Sequence, residues 1–123
     1  MSALTASVIT VSTRASQGLY EDVSGKVLAD GLIELGFVLH GTVVIPDDRA
    51  QISGEIEKAL RDGVRLIVTT GGTGVSPSDV TPEATEQWIE KKLPGISELL
   101  RANSRAHAPM ADLTRGLAGT SGL

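Results

Sequence analysis

Apolar positions fall into two kinds of segment along this chain. Residues 6–12 (Ala-Ser-Val-Ile-Thr-Val-Ser) and 64–70 (Val-Arg-Leu-Ile-Val-Thr-Thr) are short, β-branched and almost continuously apolar, the pattern of strands covered on both faces. Residues 38–45 form a third such run, ended by Pro46. Between them the apolar spacing becomes helical. One helix is predicted over 24–35, with Val27, Leu28, Leu32 and Leu35 on one face and Gly36 at its end. A second is predicted over 48–61, with Ile52, Ile56, Ala59 and Leu60 inward and Asp48 and Gln51 at capping-box spacing. Residues 13–22 read as a loop. Thr81-Pro82-Glu83 predicts a helix start with Thr81 as N-cap, running to about Lys91. Pro94 opens a last helix to about Arg105, with Ile96, Leu99 and Leu100 inward. Residues 107–123, rich in Ala and Gly, predict no definite element. The order β-α-β-α-β-α-α describes one α/β domain over 1–123, a parallel sheet with helices on both faces.

Composition narrows the chemistry. The chain has 123 residues, 41% of them hydrophobic, enough for one modest core. Phe, Trp and Tyr occur once each, so the core must be aliphatic and no aromatic platform exists for stacking nucleic-acid bases. The net charge is -4, the pI about 5.1, and the basic residues are scattered, with Lys91-Lys92 the densest cluster, which argues against nucleic acid as a partner. The absence of cysteine excludes disulfides and thiolate chemistry. His40 and His107 are too far apart in sequence for a local metal motif. His40 reads as structural, and His107 receives no role. Trp88 reads as core or a subunit contact. No signal-peptide pattern opens the chain, and no apolar run approaches the ~20 residues of a membrane span, so no membrane partner is expected and the cytoplasm is the expected compartment.

In parallel sheets ligands bind beyond the carboxyl ends of the strands, where three loops meet here. The first holds Ser12, Thr13, Arg14 and Ser16, and the second Pro46, Asp47 and Asp48. The third, residues 69–81, is Thr-Thr-Gly-Gly-Thr-Gly-Val-Ser-Pro-Ser-Asp-Val-Thr. Gly71, Gly72 and Gly74 allow close backbone approach, and Thr70, Thr73, Ser76 and Ser78 add hydroxyls. The loop runs into the helix starting at Thr81, a second favourable place for an anion. The reading is a phosphate cradle, with a plain strand-to-helix turn as its alternative. Asp47, Asp79 and Glu83 would flank that pocket. Carboxylates beside phosphates repel them unless a cation intervenes, and Mg²⁺ takes one or two carboxylates plus substrate phosphates. Asp48 has the spacing of a helix cap, which leaves Asp47 the better catalytic candidate, although the two could exchange roles. Asp79 could instead close an Asx turn, Glu83 could simply occupy a helix first turn, and Arg14 could pair with a phosphate or stay solvated.

Residues 70–85, Thr-Gly-Gly-Thr-Gly-Val-Ser-Pro-Ser-Asp-Val-Thr-Pro-Glu-Ala-Thr, closely resemble the signature of the molybdopterin adenylyltransferase family (MogA and MoaB, and the gephyrin G domain). The likeness extends to residues 8–16, to Ile45-Pro-Asp-Asp48, to Pro94-Gly95 and to residues 113–119. It implies a three-layer α/β/α fold with a mostly parallel sheet, usually trimeric. It implies adenylation of molybdopterin by Mg-ATP with release of pyrophosphate, and a hand-over to a MoeA-like molybdenum insertase. The carboxylates it makes critical match Asp47 and Asp79, with Mg²⁺ between them. It gives the 71–74 loop the phosphates, and the binding set becomes Ser12, Arg14, Gly71, Gly72, Thr73, Gly74, Ser76, Thr81 and Glu83.

The sequence departs from that pattern at Thr13, where the family often has Asp, at Ser78, where it often has Arg, and at Thr114, where it has Ser. Family members also continue into a further strand, a Pro-Gly loop and a helix, so a C-terminally truncated domain with exposed sheet edge and apolar surface is expected. The alternative function is a MoaB-like or truncated protein that holds the pterin without turnover, or a trimeric scaffold. The sequence does not separate MogA-like from MoaB-like activity, or molybdenum from tungsten.

Overall fold

The computed structural model describes residues 4–108 and 110–122. Residues 1–3, part of the N-terminal reading above, and Leu123, the expected point of truncation, lie outside the described residues. The elements follow in the order β1 (Thr5–Val11), α1 (Thr13–Ser16), α2 (Val23–Glu34), β2 (Val38–Ile45), α3 (Arg49–Arg61), β3 (Leu66–Thr70), α4 (Thr81–Glu86), β4 (Lys91–Lys92), α5 (Pro94–Ser104), a 3-10 turn (Ala111–Leu113) and β5 (Gly119–Thr120).

The most apolar run takes the centre. β1 pairs in parallel with β2 on one side and β3 on the other, giving the order β2-β1-β3. Alternate β1 side chains go to opposite faces. Ala6 and Val8 meet Ala29 and Leu32 of α2, while Ile9 and Val11 meet Ile45, Ile52 and Ile56, and Ala84 of α4. Ile52 is fully buried, and a side chain of that size contributes about 2–3 kcal/mol when removed from water. Trp88 packs against the second of these clusters and donates Nε1–H to Ser53 Oγ at 3.1 Å, a core position. The β1–β2 register slips between Ala6 and Ser7, where His40 is the extra residue on β2. Its Nε2 lies 3.0 Å from Asp62 Oδ2 at the far end of α3. Because β1 sends the chain to β2 on one side and lies beside β3 on the other, a crevice opens past its carboxyl end, between Val11 and Thr70.

Several expectations are corrected. Residues 13–22 contain the short helix α1, capped by Ser12. α2 is capped by Asp22, whose Oδ1 accepts from Gly25 N at 3.0 Å, and Val27 and Leu35 are exposed while Leu32 is buried. Asp48 caps α3 as its spacing predicted, accepting from Gln51 N at 3.0 Å. Thr81 is not a cap: α4 begins after Val80 without a side-chain cap bond. α4 also ends at Glu86, because Lys91–Lys92 leave the helix to pair antiparallel with Gly119–Thr120. The predicted inward stripe of α5 faces outward, with Leu99 68% and Leu100 61% exposed and Ser97 the buried residue of that helix. Helical spacing identifies a stripe but not its partner.

Candidate functional site

The 71–80 loop leaves β3 and folds back over the end of β1. Gly71 and Gly72 both take positive φ, +93° and +67°. A β-carbon at Gly71 would collide with the Val11 carbonyl oxygen, and one at Gly72 with Thr81 Oγ1. Only glycine lets the loop pass this close to β1. The turn is held from below by buried Thr81, whose Oγ1 donates to Gly71 O at 3.0 Å while its amide donates to Gly72 O at 3.1 Å. The hydroxyl of this sequence-predicted binding residue is therefore committed to the loop itself.

Both candidate carboxylates stand at the loop, Asp47 from the segment after β2 and Asp79 from the loop itself. Asp47 follows β2. Its Oδ2 accepts from Thr13 Oγ1 at 3.0 Å and from Thr13 N at 3.3 Å, and its amide donates to Thr13 Oγ1 at 3.0 Å. Its Oδ1 lies 3.2 Å from where a Gly72 β-carbon would stand. Asp79 lies further along the loop, with Oδ2 accepting from Ser76 N at 3.0 Å and 2.8 Å from the corresponding position at Gly74. The Asx-type turn raised from sequence is present, since Asp79 N also donates to Ser76 O at 2.9 Å. In each carboxylate these hydrogen bonds use Oδ2. Among the described residues no cluster of three or more metal-ligating side chains exists. Two separate carboxylates that each keep an oxygen suit Mg²⁺ bound together with substrate phosphates, not an all-protein cage.

The remaining candidates separate. Ser12 Oγ accepts from Ala15 N at 3.2 Å as the α1 cap. Arg14 stands on exposed α1, its guanidinium 5.9 Å from the Tyr20 ring centre. Ser76 Oγ lies 3.2 Å from Ser78 Oγ. Glu83 is tied to Arg115, a residue the sequence did not offer as a site residue. Arg115 NH1 donates to Glu83 Oε2 at 2.6 Å, its Nε to Gly74 O at 2.8 Å, its NH2 to Asp79 O at 2.8 Å and its amide to Thr73 O at 2.7 Å. One guanidinium thus pins both ends of the 74–79 turn. A signal was available: Arg115 is the sole Arg or Lys in 106–122, in an Ala/Gly-rich stretch that offers no packing reason for it.

The hydrogen bond from Arg115 holds the Glu83 carboxyl below its ordinary range, desolvation opposing it, and the same bond raises Arg115. A carboxyl lowered in the folded state stabilises fully above its unfolded value and loses that contribution as pH falls through the folded value. The Arg115 clamp is therefore expected to loosen only in acid, below the usual glutamate range. NMR of the Arg115 guanidinium NH1 and NH2 protons should show protection, relative to their intrinsic exchange rate, falling there, with no such step in Glu83→Gln. Protection independent of pH in the unsubstituted protein would contradict the clamp.

Behind the glycine turn lies a cavity of about 270 Å³ between β3, α4 and α5. Gly71, Thr73 and Thr81 line it, but neither Asp47 nor Asp79 does. Among the described residues no helix is long and apolar enough to cross a membrane.

Residues 7–122 match the family described as a probable molybdopterin binding domain. The chain is 42% identical over 115 residues to a molybdopterin adenylyltransferase of Helicobacter pylori, covering 91% of this chain and 65% of that protein. It therefore spans just under two thirds of that relative's length. Among solved structures, a molybdopterin biosynthesis protein from Mycobacterium abscessus superposes with a TM-score of 0.90 at 41% identity, over 96% of this chain and 75% of the other. The tungsten cofactor synthesizing protein MoaB from Pyrococcus furiosus superposes with a TM-score of 0.86 at 32% identity, over 97% and 74%. These neighbours share the three-layer α/β/α architecture expected from the sequence.

Proposed function

This chain belongs to the molybdopterin binding domain family, and on that premise we propose that it binds molybdopterin and adenylates it with Mg-ATP in molybdenum-cofactor biosynthesis. The terminal phosphate of the pterin forms the new bond to the α-phosphorus of ATP, the α–β bond breaks, and pyrophosphate leaves. Such a transfer needs positioning and charge neutralisation more than covalent help. The observation that carries the reading is the convergence of Asp47 and Asp79, 32 positions apart in sequence, on one glycine turn whose amides suit an anion. Mg²⁺ held by those two carboxylates would offset the phosphate charge. Thr13 keeps Asp47 in place and Ser76 keeps Asp79 in place. The same reading takes the protein as a cytoplasmic homotrimer that hands its product to a MoeA-type insertase. Exposed apolar side chains on α2 and α5 supply surface for such an assembly.

A second reading, pterin binding without turnover, draws on the hydroxyl-lined cavity, which includes neither carboxylate. Incubating protein, molybdopterin and Mg-ATP and quantifying adenylated pterin by mass spectrometry tests both. Adenylated product supports the enzyme. Saturable pterin binding with no ATP consumed supports the binder. Failure to bind either ligand removes both.

A further inference from the structure

Three carbonyls of the glycine loop point at one residue. Thr73 O accepts from the Arg115 amide at 2.7 Å, Gly74 O from its Nε at 2.8 Å and Asp79 O from its NH2 at 2.8 Å. Among the described residues no peptide is cis, and a trans peptide turns each N–H opposite to the carbonyl before it. The amides of Gly74, Val75 and Val80 are therefore aimed away from Arg115. Among the described residues none of these three amides finds a protein acceptor. The loop's own side-chain bonds join Ser76, Ser78 and Asp79, and none of them decides which way the peptides at 73–75 face. The Arg115 charge is already met by Glu83, whose Oε2 and Oε1 lie 2.6 Å and 3.2 Å from NH1 and NH2. Any influence of Arg115 on a substrate must then run through the loop.

We infer that Arg115 is a positioning residue: it gathers loop carbonyls on one side so that the Gly74 and Val75 amides face the transferred phosphoryl group on the other, without touching the substrate itself. Amide dipoles fixed in advance stabilise charge that develops during transfer, whereas a loose loop must first reorganise. The planar guanidinium suits this task because it reaches two carbonyls and a carboxylate from one rigid fork. A lysine ammonium is a point charge on a flexible stem and cannot span the same three acceptors. That the amides serve phosphoryl transfer rests on the function proposed above; the facing of the peptides does not.

The test pairs backbone NMR relaxation with steady-state adenylation on the same preparations. In Arg115→Ala the order parameters of the Gly74 and Val75 amides are expected to fall from about 0.85 to below about 0.6, with the β1 amides unchanged. The kcat should drop about tenfold or more while KM for Mg-ATP stays within about threefold, the signature of an interaction made in the transition state. Arg115→Lys should fall between. Millimolar guanidinium chloride, but not sodium chloride at equal ionic strength, should restore part of both the order and the turnover of Arg115→Ala. Thermal melts establish that each variant is folded, and should Arg115→Ala fail to fold, Arg115→Lys is read in its place with smaller changes of the same sign. Gly74 and Val75 amides as ordered in the folded variant as in its parent overturn the inference. So does a loss confined to KM, or one that sodium chloride restores equally well. Should the unsubstituted protein make no adenylated pterin, the proposed function falls, and the order parameters alone decide whether Arg115 fixes the facing of the loop.

Discussion

Gly71→Ala is expected to lower the melting temperature by roughly 10 °C, the largest stability effect of any single methyl addition in this site. Two costs coincide there. An L-residue at φ +93° sits in the left-handed region, at about 1–2 kcal/mol, and the new methyl meets the Val11 carbonyl, a backbone atom that cannot turn aside. Forced overpacking adds about 1–3 kcal/mol. The control is Gly54, exposed within α3 with open space where its β-carbon would be. Gly54→Ala should raise stability by about 0.5–1 kcal/mol by removing a helix-interior glycine. Paired thermal melts check both signs. A Gly71→Ala protein as stable as its parent would mean that the turn does not press on β1.

The largest expected effect on activity is at Asp79. Asp79→Asn should reduce adenylation about a hundredfold or more while leaving pterin affinity largely intact. Asparagine keeps a side-chain oxygen to accept from Ser76 N, and Arg115 binds the Asp79 backbone carbonyl, so the turn is retained while one negative charge is lost. That separates charge from shape, which Asp79→Ala would not. Turnover and equilibrium pterin binding, measured on the same preparation, give the answer. Unchanged turnover would take Asp79 out of the chemistry and leave it as the closing residue of its turn.

The strands were readable because their signal is local: an apolar β-branched run needs no partner to be recognised, and residues 38–45 became β2 at those bounds. The Asp48 cap was readable for the same reason, being complete within four residues. The failures involve partners distant in sequence. The helix from Thr81 was expected to run to about Lys91 because nothing nearby announces that Gly119–Thr120 will pair with Lys91–Lys92. Thr81 read as a cap because its true acceptor, Gly71 O, lies ten residues back. Leu99 and Leu100 formed a convincing stripe, yet periodicity carries no information about what covers it. At the candidate site, Asp47 and Asp79 stood out by following a strand and a glycine turn. Arg115 showed only as a lone basic residue in an Ala/Gly-rich stretch, and its partners Gly74, Asp79 and Glu83 become visible only in the fold.

Arg115 has a consequence for the order in which this protein becomes competent. Its bonds to Gly74, Asp79 and Glu83 join positions 32 to 41 apart, and none of them can form before residue 115 has been made. During synthesis the sheet's three parallel strands emerge well before residue 115 does. A nascent chain can therefore hold a nearly finished scaffold while the 74–79 turn is still unfastened. Ligand capture that depends on the fastened turn must therefore wait until residue 115 has been made.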